Sequence, residues 1–156
     1  MAADPLQSAL HIALRFLAKR DRTVAETTRR LRAAAVDDAL AERAVGILLE
    51  GGYLDDAGYA RRFAEDRRSL DGWGTRRIEQ ALRARGVDPE LVATAVRRAP
   101  GDELEAAGAV LRRRMPGGAA DPRERDRALG LLLRRGYDYE LACDAVRAHA
   151  RARRAA

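Results

Sequence analysis

Apolar residues recur along this chain at every third or fourth position, with charged residues between them. Leu10, Leu14 and Leu17 follow this spacing, and the same spacing brings Ile78 and Leu82 onto one side of a helix. Alternating apolar and polar positions, which indicate strands, are absent. Alanine, leucine, arginine and glutamate dominate, and all four are good helix formers. The pattern therefore predicts an all-α fold.

Helix ends can be read from capping residues. Thr23 and Glu26 have the spacing of a capping box, in which each side chain accepts from the other residue's free N–H. Asp88 and Asp121 each precede a proline, which is the arrangement of an N-cap before the first helical position. Gly86 and Gly136 stand where helix C-termini need a residue that tolerates positive φ.

Three segments of the chain resemble one another, and they begin at Leu31, Leu82 and Leu132. In each, a hydrophobic residue lies five positions after the first leucine, an aspartate follows it, a second leucine lies three positions further, and alanine-valine closes the segment. The leucine ends one buried helix face, the hydrophobic residue packs at the turn and the aspartate caps the next helix. Shared spacing in three copies indicates an internal repeat.

Each segment is preceded by another helical stretch, at about residues 6–20, 56–70 and 102–115. The sequence therefore predicts three tandem three-helix repeats, which form an elongated, curved helical array. The predicted repeats are residues 6–52, 53–99 and 101–150, and residues 151–156 form a basic tail.

The stretch GGYLDD separates the first repeat from the second and holds a pair of carboxylates. Gly51–Gly52 are predicted to end one helix and Asp55 to cap the next, with Leu54 packing against Tyr59. Asp56 falls in the first helical turn, where the helix dipole favours an anion. A metal or catalytic role is the alternative, but no third ligand accompanies the pair. We therefore interpret the aspartates as structural.

Charge favours acidic partners. Lysine and arginine number 30 against 24 acidic residues, which gives a net charge of +6 and a pI near 10.3. Such a chain suits nucleic acid or a nucleoprotein surface, and a solvated basic helical surface is the alternative. A single cysteine, no apolar run of about 20 residues and no signal-peptide pattern favour a cytoplasmic protein without a membrane partner.

No pattern for catalysis or for a metal is present. The chain lacks a phosphate-binding glycine loop, zinc-ligand spacing and a Ser-His-Asp set. His11 and His149 have no neighbouring ligands, and we interpret Cys143 as a small buried apolar residue. The sequence therefore predicts a protein that is not an enzyme and has no cofactor.

The stretches GYLDD, YARRFAEDR and GWGTRRIEQALRARGV together resemble the central signature of the RecX family, bacterial regulators of the RecA recombinase. The resemblance extends from about Ala9 to Ala148. One departure is Ala35, which stands where the later repeats have glycine, so the turn there is expected to differ in geometry. The signature residues, interpreted as mainly structural, are Gly52, Tyr53, Leu54, Asp55, Asp56, Gly72, Trp73, Gly74, Ile78, Leu82 and Gly86.

The resemblance implies a non-enzymatic modulator of homologous recombination and DNA repair. It would bind the RecA filament on single-stranded DNA and inhibit recombinase and ATPase activities. Separately, arrays with polar ends are usually monomeric, so we expect a monomer. A helical protein that binds DNA without RecA is the alternative. The candidate contacts with RecA or DNA are arginines, since the guanidinium fork suits phosphates and carboxylates: Arg61, Arg62, Arg67, Arg68, Arg76, Arg77, Arg83, Arg85, Arg112, Arg113, Arg134 and Arg135.

Aromatic residues are expected mainly in the core. Tyr53, Tyr59, Phe63 and Tyr137 recur at core positions of the pattern. Trp73 lies between two glycines, so we expect it to pack in a tight elbow, and base stacking is the alternative.

Overall fold

The computed structural model describes residues 2–155, and within them the fold is all-α, as predicted. The helices are α1 (Pro5–Leu17), α2 (Val24–Ala33), α3 (Asp38–Glu50), α4 (Asp56–Asp71), α5 (Thr75–Ala84), α6 (Pro89–Val96), α7 (Asp102–Arg114), α8 (Pro122–Arg134) and α9 (Tyr139–Ala155). No strand occurs in that part of the chain. The division into three repeats and the elongated array stay predictions.

The predicted caps are confirmed. Thr23 and Glu26 form a reciprocal capping box at the start of α2, and Asp121 forms a second one with Glu124 at the start of α8. Asp88 accepts a hydrogen bond from the N–H of Glu90 at 2.9 Å. These contacts join residues two or three positions apart, which is why local sequence suffices to predict them.

The chain forms two compact units. The N-terminal unit holds the chain up to Arg62 together with Leu82–Ala95, and the C-terminal unit holds Phe63–Ala81 with the chain from Val96 onward. Helices α4 and α5 thus contribute residues to both units.

The core of the N-terminal unit lies among α1, α2 and α3, which pack against one another. Its small side chains come from α1, where Ala9 and Ala13 are fully buried, and larger ones come from Leu31 and Leu48. Alanine on α1 lets neighbouring helices approach closely, and the leucines fill the remaining volume.

The core of the C-terminal unit is built in the same way among α7, α8 and α9. Leu111 and Leu132 are fully buried there, with Ala107 and Ala128 as the small partners. Tyr137 closes this core and is only 2% exposed.

The expectation that the turn at Ala35, after α2, differs in geometry from the later turns is wrong. Its φ is +61°, in the same left-handed region as Gly86 at +78° and Gly136 at +92°. Ala35 is exposed. The turn after α2 therefore has the conformation of the later turns, at the energetic cost that a Cβ imposes in this region.

Two side chains were placed wrongly by the pattern. Tyr53 is 64% exposed, because its ring folds back over Gly51 at the surface and does not enter the core. Cys143 is half-buried, where full burial was expected. Tyr59 and Tyr137 are buried as predicted, whereas Phe63 is only partly buried.

Within residues 2–155, none of the helices combines the length and the apolar character that a membrane crossing requires.

Candidate nucleic-acid interface

The paired carboxylates of the GYLDD stretch are engaged with backbone donors. Asp55 accepts from the N–H of Gly58 at 3.0 Å, which makes it the N-cap of α4, as predicted. Asp56 accepts from the N–H of Val24, the first residue of α2, also at 3.0 Å. Among the described residues no group of three metal-binding side chains occurs. The pair therefore holds helix ends.

Burial shapes the acidity of Asp56. Desolvation raises the pKa of its carboxyl above 3.8, the hydrogen bond from Val24 acts against that rise, and the negative charges of Asp55 and Glu26 add to it. The carboxylate satisfies a free backbone donor at the start of α2.

The start of α2 docks on the turn between α5 and α6. The hydroxyl of Thr23 donates to the carbonyl of Arg85 at 2.7 Å, and a Cβ added to Gly86 would lie 2.3 Å from the Cβ of Ala25. Gly86 is therefore needed twice, for its φ and for this close approach.

The start of α5 docks in the same way on the turn between α8 and α9. Gly74 N–H donates to Arg135 O at 2.7 Å, and Arg76 N–H donates to Gly136 O at 3.0 Å. The N–H of Thr75 donates to the carboxylate of Glu103 at 2.7 Å, which repeats the contact between Val24 and Asp56. In both cases an acid in the first turn of a later helix accepts from the first N–H of an earlier one: Asp56 of α4 caps α2, and Glu103 of α7 caps α5.

The docking explains why two of the turns need glycine. A Cβ on Gly136 would lie 2.3 Å from the Cβ and 2.4 Å from the N of Arg77, and one on Gly74 would lie 2.6 Å from the carbonyl of Gly136. At the exposed Ala35 the same left-handed turn carries a side chain. At α8 the first residue is Pro122, which has no N–H to donate to an acid.

Two candidate arginines form hydrogen bonds within the chain. Arg68 donates to Val96 O at 2.7 Å and to the hydroxyl of Thr75 at 3.3 Å, and burial, followed by the charge of Arg98, lowers its pKa. Arg135 donates to the carbonyl of Asp71. These two side chains brace the elbow between α4 and α5.

Other candidates form ion pairs. Arg62 pairs with Asp21 at 3.2 Å, Arg76 with Asp138 at 2.5 Å, Arg112 with Glu105 at 2.7 Å, and Arg67 with Asp71. The first three pairs are solvent-exposed, and exposed pairs contribute about 0–1 kcal/mol, so they can exchange partners.

The remaining candidates lie in both units. Arg61 and Arg83 are exposed on the N-terminal unit, and Arg85 is half-buried there. Arg113 and Arg134 are exposed on the C-terminal unit. The structure thus spreads the predicted arginines over two units and brings only some of them together.

Trp73 organises the elbow of the C-terminal unit. Its ring meets Phe63 edge-on, with centroids 6.2 Å apart, and the guanidinium of Arg77 lies 4.1 Å from the ring centroid. Arg67 is also near the ring, at 5.8 Å. The half-buried indole therefore holds arginine side chains through cation–π contacts.

An open groove of about 420 Å³ runs beside this elbow. Gly72, Trp73, Val110, Arg113 and Tyr137 are among its lining residues. Buried Tyr137 donates its hydroxyl to Gly72 O at 2.9 Å, and desolvation raises its pKa to about 12. The groove has an apolar floor and a positively charged rim.

Sequence reasoning missed Arg98, which also lines the groove and pairs with Glu103 at 2.8 Å. The adjacent arginines at 97 and 98, directly after a predicted inward-facing alanine-valine pair, were the available signal.

Comparison with known proteins finds relatives of this chain. The family model described as "RecX, first three-helix domain" matches residues 9–46, and "RecX, second three-helix domain" matches residues 55–96. The regulatory protein RecX of Trichlorobacter lovleyi is 41% identical over 134 residues, which are 83% of this chain and 87% of the relative. That of Thermobifida fusca is 35% identical over 147 residues, 92% of this chain and 80% of the relative.

Solved structures share the fold. The crystal structure of RecX from Lactobacillus salivarius superimposes with a TM-score of 0.80 at 18% identity, and the alignment covers 94% of this chain and 97% of that one.

Proposed function

This chain belongs to the RecX family, and from that premise we propose that it regulates homologous recombination and DNA repair. In the proposed role it binds the RecA filament on single-stranded DNA and inhibits the recombinase and ATPase activities of RecA. The observation that carries the proposal is the 41% identity, over most of both chains, to a relative named a regulatory protein.

The basic surface supports a nucleoprotein partner. A net charge of +6 and exposed arginines on both units attract a filament that carries a phosphate backbone. Five exposed candidates have no ion pair among the described residues: Arg61, Arg77, Arg83, Arg113 and Arg134.

The proposed role needs no chemistry from this chain. Asp55 and Asp56, which would be the candidate acids of an enzyme, are each occupied by a backbone N–H. We therefore propose a binding protein without a cofactor, located in the cytoplasm.

We also propose that the protein is a monomer built of three-helix repeats at residues 6–52, 53–99 and 101–150. Two features support this. Ala35 carries a Cβ at the turn position where Gly86 allows a close approach, and Pro122 lacks the N–H that Val24 donates to Asp56, so neither position can repeat the corresponding docking contact.

The test is ATP hydrolysis by the cognate RecA on single-stranded DNA, titrated with this protein. Binding to the same DNA without RecA is measured in parallel. We expect inhibition at concentrations well below those that coat the bare DNA. No change in hydrolysis until the DNA is saturated would refute action on the filament.

A second candidate function is DNA binding without RecA. It is favoured by arginines of the C-terminal unit that have no carboxylate partner, and it predicts equal affinity for bare DNA and for the filament. A strong preference for the filament would reject it.

A further inference from the structure

A groove of about 260 Å³ lies on the N-terminal unit, between α1 and α2. Along α1 and the turn after it, basic side chains recur four residues apart, and apolar side chains with the same spacing lie one position after them. Helix α2 contributes one further arginine. We call this feature the α1–α2 groove, and its lining residues are His11, Ile12, Arg15, Phe16, Lys19 and Arg30.

The positive charges of the groove have no counter-charge within the chain. Helix α1 contains no acidic residue. The acids that follow it in sequence are used elsewhere, since Asp21 pairs with Arg62 at 3.2 Å and Glu26 accepts from Thr23 N–H at 3.3 Å. In the part of the chain that the structure describes, no ion pair or side-chain hydrogen bond holds the exposed cations of the groove: Arg15, Lys19 and Arg30. Like charges held close together in this way favour an anionic ligand.

An apolar wall beside these cations narrows the choice of ligand. Ile12 and Phe16 are half-buried there. The guanidinium of Arg22 lies 4.0 Å from the centroid of the Phe16 ring, so one face of that ring is already covered. Proteins that bind a nucleic-acid strand without sequence preference offer aromatic faces on which successive bases stack. A single ring with one covered face is not such a platform, whereas a half-buried apolar wall can bury an apolar side chain of a peptide.

The spacing of the cations fits carboxylates on a peptide. With a rise of about 1.5 Å per residue, Arg15 and Lys19 lie roughly 6 Å apart along the direction of α1. Side chains two residues apart on one face of an extended segment are separated by about 6–7 Å. Guanidinium and ammonium groups both bind carboxylates, and the guanidinium fork can do so through two parallel hydrogen bonds.

We propose that the α1–α2 groove binds an acidic segment of a partner protein. The carboxylates of that segment bind the three cations, and one of its apolar side chains packs against Ile12 and Phe16. The inference rests on the proposed function in one respect, that the partner includes a protein, and it assigns a docking surface to the N-terminal unit. Binding should weaken as salt rises, because the cations of the groove are exposed and are therefore screened.

The test uses the full chain without RecA. Fluorescence anisotropy measures the binding of three labelled probes: a peptide of alternating glutamate and leucine pairs, the same peptide with serine in place of leucine, and an oligothymidylate. The variant is Arg15→Ala/Arg30→Ala. The matched control is Arg29→Ala/Arg43→Ala, which removes the same charge from exposed positions of the same unit outside the groove. Circular dichroism checks that both variants fold.

We expect the groove variant to bind the glutamate–leucine peptide about tenfold more weakly than the wild type, because two ion pairs are lost, and the control to bind it nearly as well as the wild type. The serine peptide should bind the wild type more weakly than the leucine peptide, because the apolar wall is left uncovered. Equal weakening by both variants would overturn the inference. So would a groove variant that loses as much affinity for oligothymidylate as for the peptide.

Lys19 supplies a second readout that needs no variant, because it is the only lysine of the chain. A carbodiimide joins a carboxylate to an amine that lies in contact with it, and takes up the water that the new amide bond releases. With an N-acetylated glutamate–leucine peptide, mass spectrometry should find the peptide on Lys19. Coupling confined to the amino terminus of the protein, or no coupling, would contradict docking in the groove. The proposed function fails by a different result, which is that the protein does not inhibit ATP hydrolysis by RecA.

Discussion

Replacing Gly136 by alanine tests the docking of α5 on the turn between α8 and α9. The added Cβ would lie 2.3 Å from the Cβ of Arg77 and 2.4 Å from its backbone N. Backbone atoms cannot rotate away as a flexible side chain can. The φ of +92° adds strain of its own, because a Cβ is disfavoured in the left-handed region.

The two costs can be estimated separately. The left-handed conformation costs an alanine about 1 kcal/mol, and forced overlap in a packed site costs typically 1–3 kcal/mol. We therefore expect Gly136→Ala to lower the free energy of unfolding by about 3 kcal/mol. Gly52 offers the matched control, since its φ is +76° and no atom lies within 4 Å of the added Cβ. Gly52→Ala should cost only about 1 kcal/mol.

Urea unfolding measures the difference. Trp73 is the only tryptophan in the chain and lies in the C-terminal unit, so its fluorescence reports on the unit that Gly136→Ala perturbs. Circular dichroism follows all helices together. The entropy that alanine removes from the unfolded chain is common to both variants and cancels in their comparison. If Gly136→Ala destabilises no more than Gly52→Ala, the close approach to Arg77 is wrong.

The other predictions concern single positions. Ala35→Gly should raise the free energy of unfolding by about 0.5–1 kcal/mol, because it relieves a φ of +61° at an exposed site, and a lower urea midpoint would contradict this. Asp56→Ala should cost about 1 kcal/mol by removing the acceptor for Val24 N–H, whereas Asp56→Asn keeps an acceptor and should be near neutral at pH 7. Burial raises the pKa of Asp56 above 3.8 in the folded state. The stability of the wild type relative to Asp56→Asn should therefore be greatest below pH 3.8 and should fall as pH rises through the folded pKa. The opposite trend in urea unfolding would refute the raised pKa of Asp56. Tyr137→Phe should cost about 1 kcal/mol by removing the bond to Gly72 O. With its pKa raised to about 12, Tyr137 stabilises the fold below pH 10 and ceases to do so as pH passes 12. In an absorbance titration, Tyr137→Phe should therefore remove a tyrosine ionisation near pH 12.

The sequence by itself determined the helices and their ends. The capping box at Thr23, the N-cap at Asp121 and the left-handed turn at Gly86 depend on residues a few positions apart, so their physics is local. The repeat spacing carried the same information three times. An error arose at Tyr53, where a local pattern could not show that the ring turns outward over Gly51.

Tertiary structure alone decided what the same residues contact. Asp56 reaches Val24 across 32 positions, and the turn at Gly136 meets Arg77 across 59. Ala35 and Gly86 share a left-handed conformation and are both exposed, but the approach of Ala25 leaves no room for a Cβ at position 86, which no property of the turn itself reveals. The groove beside the elbow brings Arg113 of α7 near Trp73 and Tyr137, because packing of the C-terminal unit brings distant segments together. Local spacing fixes where a helix starts and stops, but only the packing of helices fixes which charges become neighbours.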